Sequence, residues 1–126
     1  MVEQELIERF KNILSALENK RGKVSFFALL KMDDITDKWT VLLSAPWVND
    51  SDREEIFFEL RTLILENIDK SELSLIARFG IFNKREHLIE LLLDNFSSGE
   101  YISQDHQVNG NVIHEGYILA SNKNLG

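Results

Sequence analysis

Apolar residues recur along this chain in two rhythms, and the switches between them lay out its elements. From Val2 to Lys20 the residues Val2, Leu6, Phe10, Ile13, Leu14 and Leu17 mark one stripe of a helix, and Gly22 is placed to end it. From Lys23 to Trp47 the period changes to two. KVSFFALLKM and KWTVLLSAPW read as consecutive antiparallel strands joined by the acidic stretch Asp33 to Lys38. With that connection Met32 faces Trp39, and counting outward pairs Leu30 with Val41, Ala28 with Leu43, Phe26 with Ala45 and Val24 with Trp47. This row is wholly apolar and predicts a core face. The other row sets Ser25, Phe27, Leu29 and Lys31 against Thr40, Leu42, Ser44 and Pro46, a mixed face.

A second helix follows Ser51-Asp52-Arg53-Glu54, which has the form of a capping box, with Ile56, Phe57, Leu60, Leu63, Ile64 and Ile68 as its stripe and Phe58 and Leu65 widening it. LSLIARFGIF then reads as a third strand with Leu75, Ala77, Phe79 and Ile81 on one side. The run Asn83-Lys84-Arg85-Glu86 opens a third helix reaching about Phe96, which Ser97-Ser98-Gly99 breaks. The last third is a hairpin, EYISQDHQV and NVIHEGYILA, around the two-residue turn Asn109-Gly110. The order αββαβαββ predicts one α+β domain over residues 1–126: a five-stranded mixed, mainly antiparallel sheet, the second and third helices packed on its apolar face. Residues 121–126 are expected to fray.

Charge narrows the function. The net charge of −7 is concentrated in the middle: residues 33–69 carry ten acids against three bases. Nucleic-acid affinity rests on Lys and Arg against phosphates, and no basic stripe is present, so a nucleic-acid partner is not expected. The absence of cysteine excludes disulfides, thiolate metal sites and cysteine nucleophiles. No apolar run approaches the roughly 20 residues that span a bilayer, and the start is amphipathic rather than a secretory signal, so no membrane and a cytoplasmic location are expected.

Candidate chemistry is sparse. Asp33, Asp34 and Asp37 share a loop but lack the glycine and distal glutamate of a calcium loop, so they read as a solvated turn. Trp39 and Trp47 read as core aromatics. No phosphate loop, nucleophile elbow or histidine pair points to catalysis, metal or cofactor. Two features stand out. Arg78 stands on the mixed face of the third strand beside Gly80 as a binding candidate for a carboxylate or other anion. The Asn-Gly turn sets Asp105 opposite His114, the one ionisable pair that the sequence itself places face to face.

These features predict a small binding or regulatory module acting through protein contacts, with a protein partner or a second copy of itself. Phe27, Leu29 and Leu42 on the mixed face form an apolar cluster that either the first helix or a partner must cover. The alternative is an enzyme or small-ligand binder with Arg78, Tyr101, Asp105 and His114 converging on that face, Asp105 orienting His114 as a general base. Leu43 is expected to be more deeply buried than Leu42.

Overall fold

A computed structural model describes residues 2–125 apart from Asp34 and Lys84, with the side chains of Val2, Glu3 and Thr36 left aside. The chain runs α1 (Val2–Arg21), β1 (Phe26–Met32), β2 (Ile35–Ser44), α2 (Arg53–Asn67), α3 (Lys70–Leu73), β3 (Ile76–Phe82), α4 (His87–Asn95), β4 (Tyr101–Ile102), β5 (His106–Val108) and β6 (Asn111–Ser121). The strands form one open sheet in the order β3-β2-β1-β6-β4, with β5 also on β6. All neighbours are antiparallel except β2 and β3, whose connection through α2 and α3 makes them parallel. The α+β class and the mixed, mainly antiparallel sheet are as the pattern predicts.

The register of the first hairpin is not. Phe27 lies opposite Leu43, Ala28 opposite Leu42 and Leu29 opposite Val41, one residue away from the all-apolar pairing. The connection is shorter than expected, because β2 already begins at Ile35. Asp33 makes the turn at φ 53, and the ladder shifts between Leu30 and Met32. Asp33 also ties the turn to β6: its amide donates to the Val112 carbonyl at 2.8 Å and its Oδ1 accepts from the Val112 amide at 2.9 Å. Asp34, its neighbour in the acidic cluster, lies outside the described residues.

A one-residue slip is tolerated because both faces of the sheet are core. Phe27, Leu29, Val41 and Leu43 pack under α1 and α2, against Leu6, Phe10, Ile13 and Leu17 of the first and Ile56, Leu60 and Ile64 of the second. Phe26, Ala28, Leu30 and Leu42 pack under α4, against Ile89, Leu92 and Leu93. The helices expected together on one apolar face are therefore divided: α2 joins α1 on one side, and α4 covers the other. The mixed character of that second row survives only as small hydroxyl residues, Thr40 and Ser44, which are buried there.

Local signals fared differently. Gly22 ends α1 at φ 114, its amide bonded to the Glu18 carbonyl at 2.9 Å. Asn109 and Gly110, at φ 50 and 78, close the last hairpin with Val108 opposite Asn111, as the turn demands. The capping box at Ser51 does not form. The Asn49 side chain takes the Asp52 amide and the Ser51 hydroxyl instead, and α2 starts after Asp52 with no side-chain cap. Four residues of the expected third strand and its approach become α3, whose N-cap Asp69 accepts from the Glu72 amide at 3.0 Å. Along the tail, Asn122 bonds the Ser25 and Val24 carbonyls and Lys123 pairs with Asp94. Gly126 lies outside the described residues.

Candidate interaction surface

The second helix has more apolar residues than one buried face can hold. Ile56, Leu60 and Ile64, spaced by four, take the core positions. Phe57, Phe58 and Leu65 are left outside, Phe58 with 55% of its surface exposed. Phe57 leans on Phe79 of β3 with ring centroids 5.6 Å apart, and Phe58 meets Phe57 edge-on at 6.0 Å. Together with Ile81, Asp50, Arg53 and Glu54 they bound an apolar groove of about 590 Å³. It lies beside a second hollow of about 370 Å³ that follows β3 past Ile76, Ala77 and Arg78.

This surface borders an open sheet edge. Among the described residues β3 pairs only with β2, so its other side presents unpaired amide and carbonyl groups along the strand. Most such edges are blunted by charge, and Arg78 is the one charged residue of the strand. It stands on the α4 face, exposed, with Nε donating to Thr40 Oγ1 at 3.1 Å. Two positions on, a Cβ at Gly80 would come within 2.6 Å of the Phe82 ring and 2.9 Å of Leu42 Cδ2. The glycine lets Phe82 fold over the strand, which keeps that stretch of the edge narrow.

The other expected site residues lie elsewhere. Phe27 and Leu29 are buried beneath α1, with Phe27 6.0 Å from the Phe10 ring, and Leu42 is buried beneath α4. His114 and Asp105 do meet, Nδ1 to Oδ1 at 3.0 Å. The second ring nitrogen, Nε2, lies 3.2 Å from the Asp33 carbonyl. Both partners are acceptors, so only the imidazolium, with two N–H groups, satisfies both. The hydrogen bond to Asp105, with the Asp33 carbonyl behind it, holds the His114 pKa above its usual value against the opposing effect of desolvation.

A consequence is measurable. The folded pKa is raised, so the contribution of this contact to stability is complete below the unfolded value of about 6.5 and is lost as pH rises through the folded value. An NMR titration is expected to place the His114 midpoint above that of a free histidine, and Asp105→Asn to move it down. A midpoint indifferent to the substitution means that the contact does not persist in solution.

Tyr101 takes a different partner. Its hydroxyl donates to Glu115, which also pairs with Lys31 at 3.2 Å, and the Lys31 ammonium lies 4.6 Å from the centre of the Trp39 ring. Burial alone raises the Glu115 pKa, but the Tyr101 and Lys31 hydrogen bonds together outweigh it and hold the carboxyl below its usual value. Arg78 is three strands from β6, roughly 14 Å at about 4.8 Å per strand. The four residues of the alternative site are thus three separate contacts: Arg78 with Thr40, Tyr101 with Glu115, and Asp105 with His114.

No protein family, characterised protein or solved structure matches the chain. Its surface chemistry is therefore the ground for a functional assignment. Phe57, Phe58, Leu65 and Phe79 are not among the residues that the sequence pattern marks for a site, although the width of the α2 stripe is a visible sign of the first three. Among the described residues no helix is long and apolar enough to cross a membrane, and no three acidic or histidine side chains are grouped to hold a metal ion.

Proposed function

We propose that this protein is a binding or regulatory module that works through protein contacts made at the free edge of β3 and the adjoining aromatic face of α2. The observation that carries it is the juxtaposition of Phe57 and Phe58 with an edge strand that has no outer neighbour among the described residues. An extended segment added there gains main-chain hydrogen bonds from β3 and buries the exposed rings in one step. The net charge of −7 and the lack of a basic stripe argue against nucleic acid as the partner.

The enzyme reading has weaker support. A general base needs a free nitrogen, and both ring nitrogens of His114 already face acceptors. Arg78, its proposed anion anchor, is three strands away in the sheet.

Site-specific photocrosslinking tests the contact reading. With benzoylphenylalanine at position 58, covalent protein adducts are expected in the cells that express the chain, and none with the same group at Gln107, exposed on β5. Adducts from position 107 but not from position 58 would place the contact on the opposite edge of the sheet and end this assignment.

A further inference from the structure

We infer that the occupant of the β3 edge is a second copy of this chain, joined strand to strand, antiparallel, about a two-fold axis through Phe79. The inference rests on the contact reading above and names its partner. The strand Ile76–Phe82 reads IARFGIF, and it is self-complementary about its centre. Antiparallel pairing on Phe79 sets Phe79 against Phe79 and Ala77 against Ile81, so that these pairs of the α2-facing row are apolar, and at the ends Ile76, which packs on the α2 side past the shift in the β2–β3 ladder, meets Phe82, which packs on the α4 side. A slip of one residue in the pairing would instead set Arg78 opposite a residue of the α2-facing row.

The charge pattern selects the same register. Arg78 falls opposite Gly80 of the second copy, the one position in the strand without a side chain. Like charges directly opposite each other destabilise a sheet, and here the two arginines are kept to a diagonal. Each guanidinium instead comes over the face of Gly80, where the Phe82 ring is folded back to within 2.6 Å of the place a Cβ would take, and an arginine over an aromatic ring is an attractive pair. A two-fold axis perpendicular to the sheet leaves both α2 helices on one side. Phe57 and Phe58 of the two copies then close over the paired Phe79 rings, filling the groove beside them.

Size sets the strength. Seven residues of strand extend about 23 Å, and α2 adds a helix width of about 10 Å to the contact strip, giving on the order of 500 Å² per copy. About 1,000 Å² in total is the lower limit of specific interfaces, so a dimer with a micromolar dissociation constant is expected.

The chain has no cysteine, so single cysteines report the register directly. In the full-length protein Phe79→Cys is expected to form an intermolecular disulfide on mild oxidation, because the two-fold axis brings its Cα atoms about 4.5 to 5.5 Å apart. Ala77→Cys, about 13 Å from its own copy in that register, is expected to form none. Sedimentation velocity from about 1 to 200 μM, bracketing the micromolar range inferred from the interface size, is expected to show monomer and dimer in exchange. Phe58→Glu, an exposed position that leaves the fold intact, is expected to weaken the dimer at least about tenfold. A protein that stays monomeric throughout overturns the inference, as does a dimer indifferent to Phe58→Glu or crosslinked through Ala77→Cys. If the protein is monomeric yet position 58 yields adducts with another protein, the contact reading stands and only the second copy is wrong. If neither appears, both fall.

Discussion

Leu42→Ala and Leu43→Ala are each expected to lower stability by about 2 to 5 kcal/mol, although the two side chains are sequence neighbours on opposite faces of β2. Leu43 is fully buried under α1 and α2, and Leu42 is 2% exposed under α4, beside Phe82 and the α4 leucines. Neither site has water to relax into, so each truncation leaves a cavity in close-packed surroundings. Pattern alone ranks Leu42 as the cheaper loss, since its row contains Thr40 and Ser44. Urea unfolding of both variants decides between the two rankings: a Leu42→Ala cost under about 1 kcal/mol would mean that α4 does not seal that face.

That pair of residues marks where the sequence stops being legible. Helices and tight turns are local, and they could be read: α1 ends at Gly22, and the Asn109-Gly110 turn sets its strand partners correctly, down to the contact between Asp105 and His114. Register in a sheet is read from the contrast between a core row and a solvent row. Here the contrast is false, because two helical layers bury both rows and the polar members of the second are hydroxyl residues small enough to be enclosed. The all-apolar pairing of Met32 with Trp39 is a real pattern that the fold does not use. In its place Lys31 comes over the Trp39 ring and reaches Glu115.

The candidate surface is legible only in part for a related reason. Arg78 and Gly80 can be picked out on β3, and Phe58 and Leu65 widen the apolar stripe of α2. What brings them to one rim of the sheet is strand order. The crossover through α2 and α3 puts β3 beyond β2 at the rim of the sheet, and no local rule says which strand is last. The short helix α3 was also unreadable as such, since Lys70 to Leu73 holds a single turn whose stability comes from its anchorage to α1.

That anchorage is expected to produce the second large effect: Arg9→Leu should cost about 2 to 4 kcal/mol. Glu72 of α3 has only 5% of its side chain exposed, and Arg9 of α1 is hydrogen-bonded to its Oε1. The same guanidinium lies 3.6 Å from Asp69, the residue that caps α3. Removing one partner from a buried ion pair leaves the other charge in low dielectric without compensation, which is far more costly than the net value of the pair itself. Arg9 is one-third exposed, so solvent screens part of the loss and the expected cost sits below that for a fully enclosed pair. A double variant separates this cause from simple loss of packing. If the stranded carboxylate is responsible, adding Glu72→Leu to Arg9→Leu restores most of the stability, because two apolar side chains replace two charges in the same space. If the double variant is no more stable than Arg9→Leu alone in thermal or urea unfolding, the loss came from the arginine stem lying along α3, and the carboxylate was solvated all along.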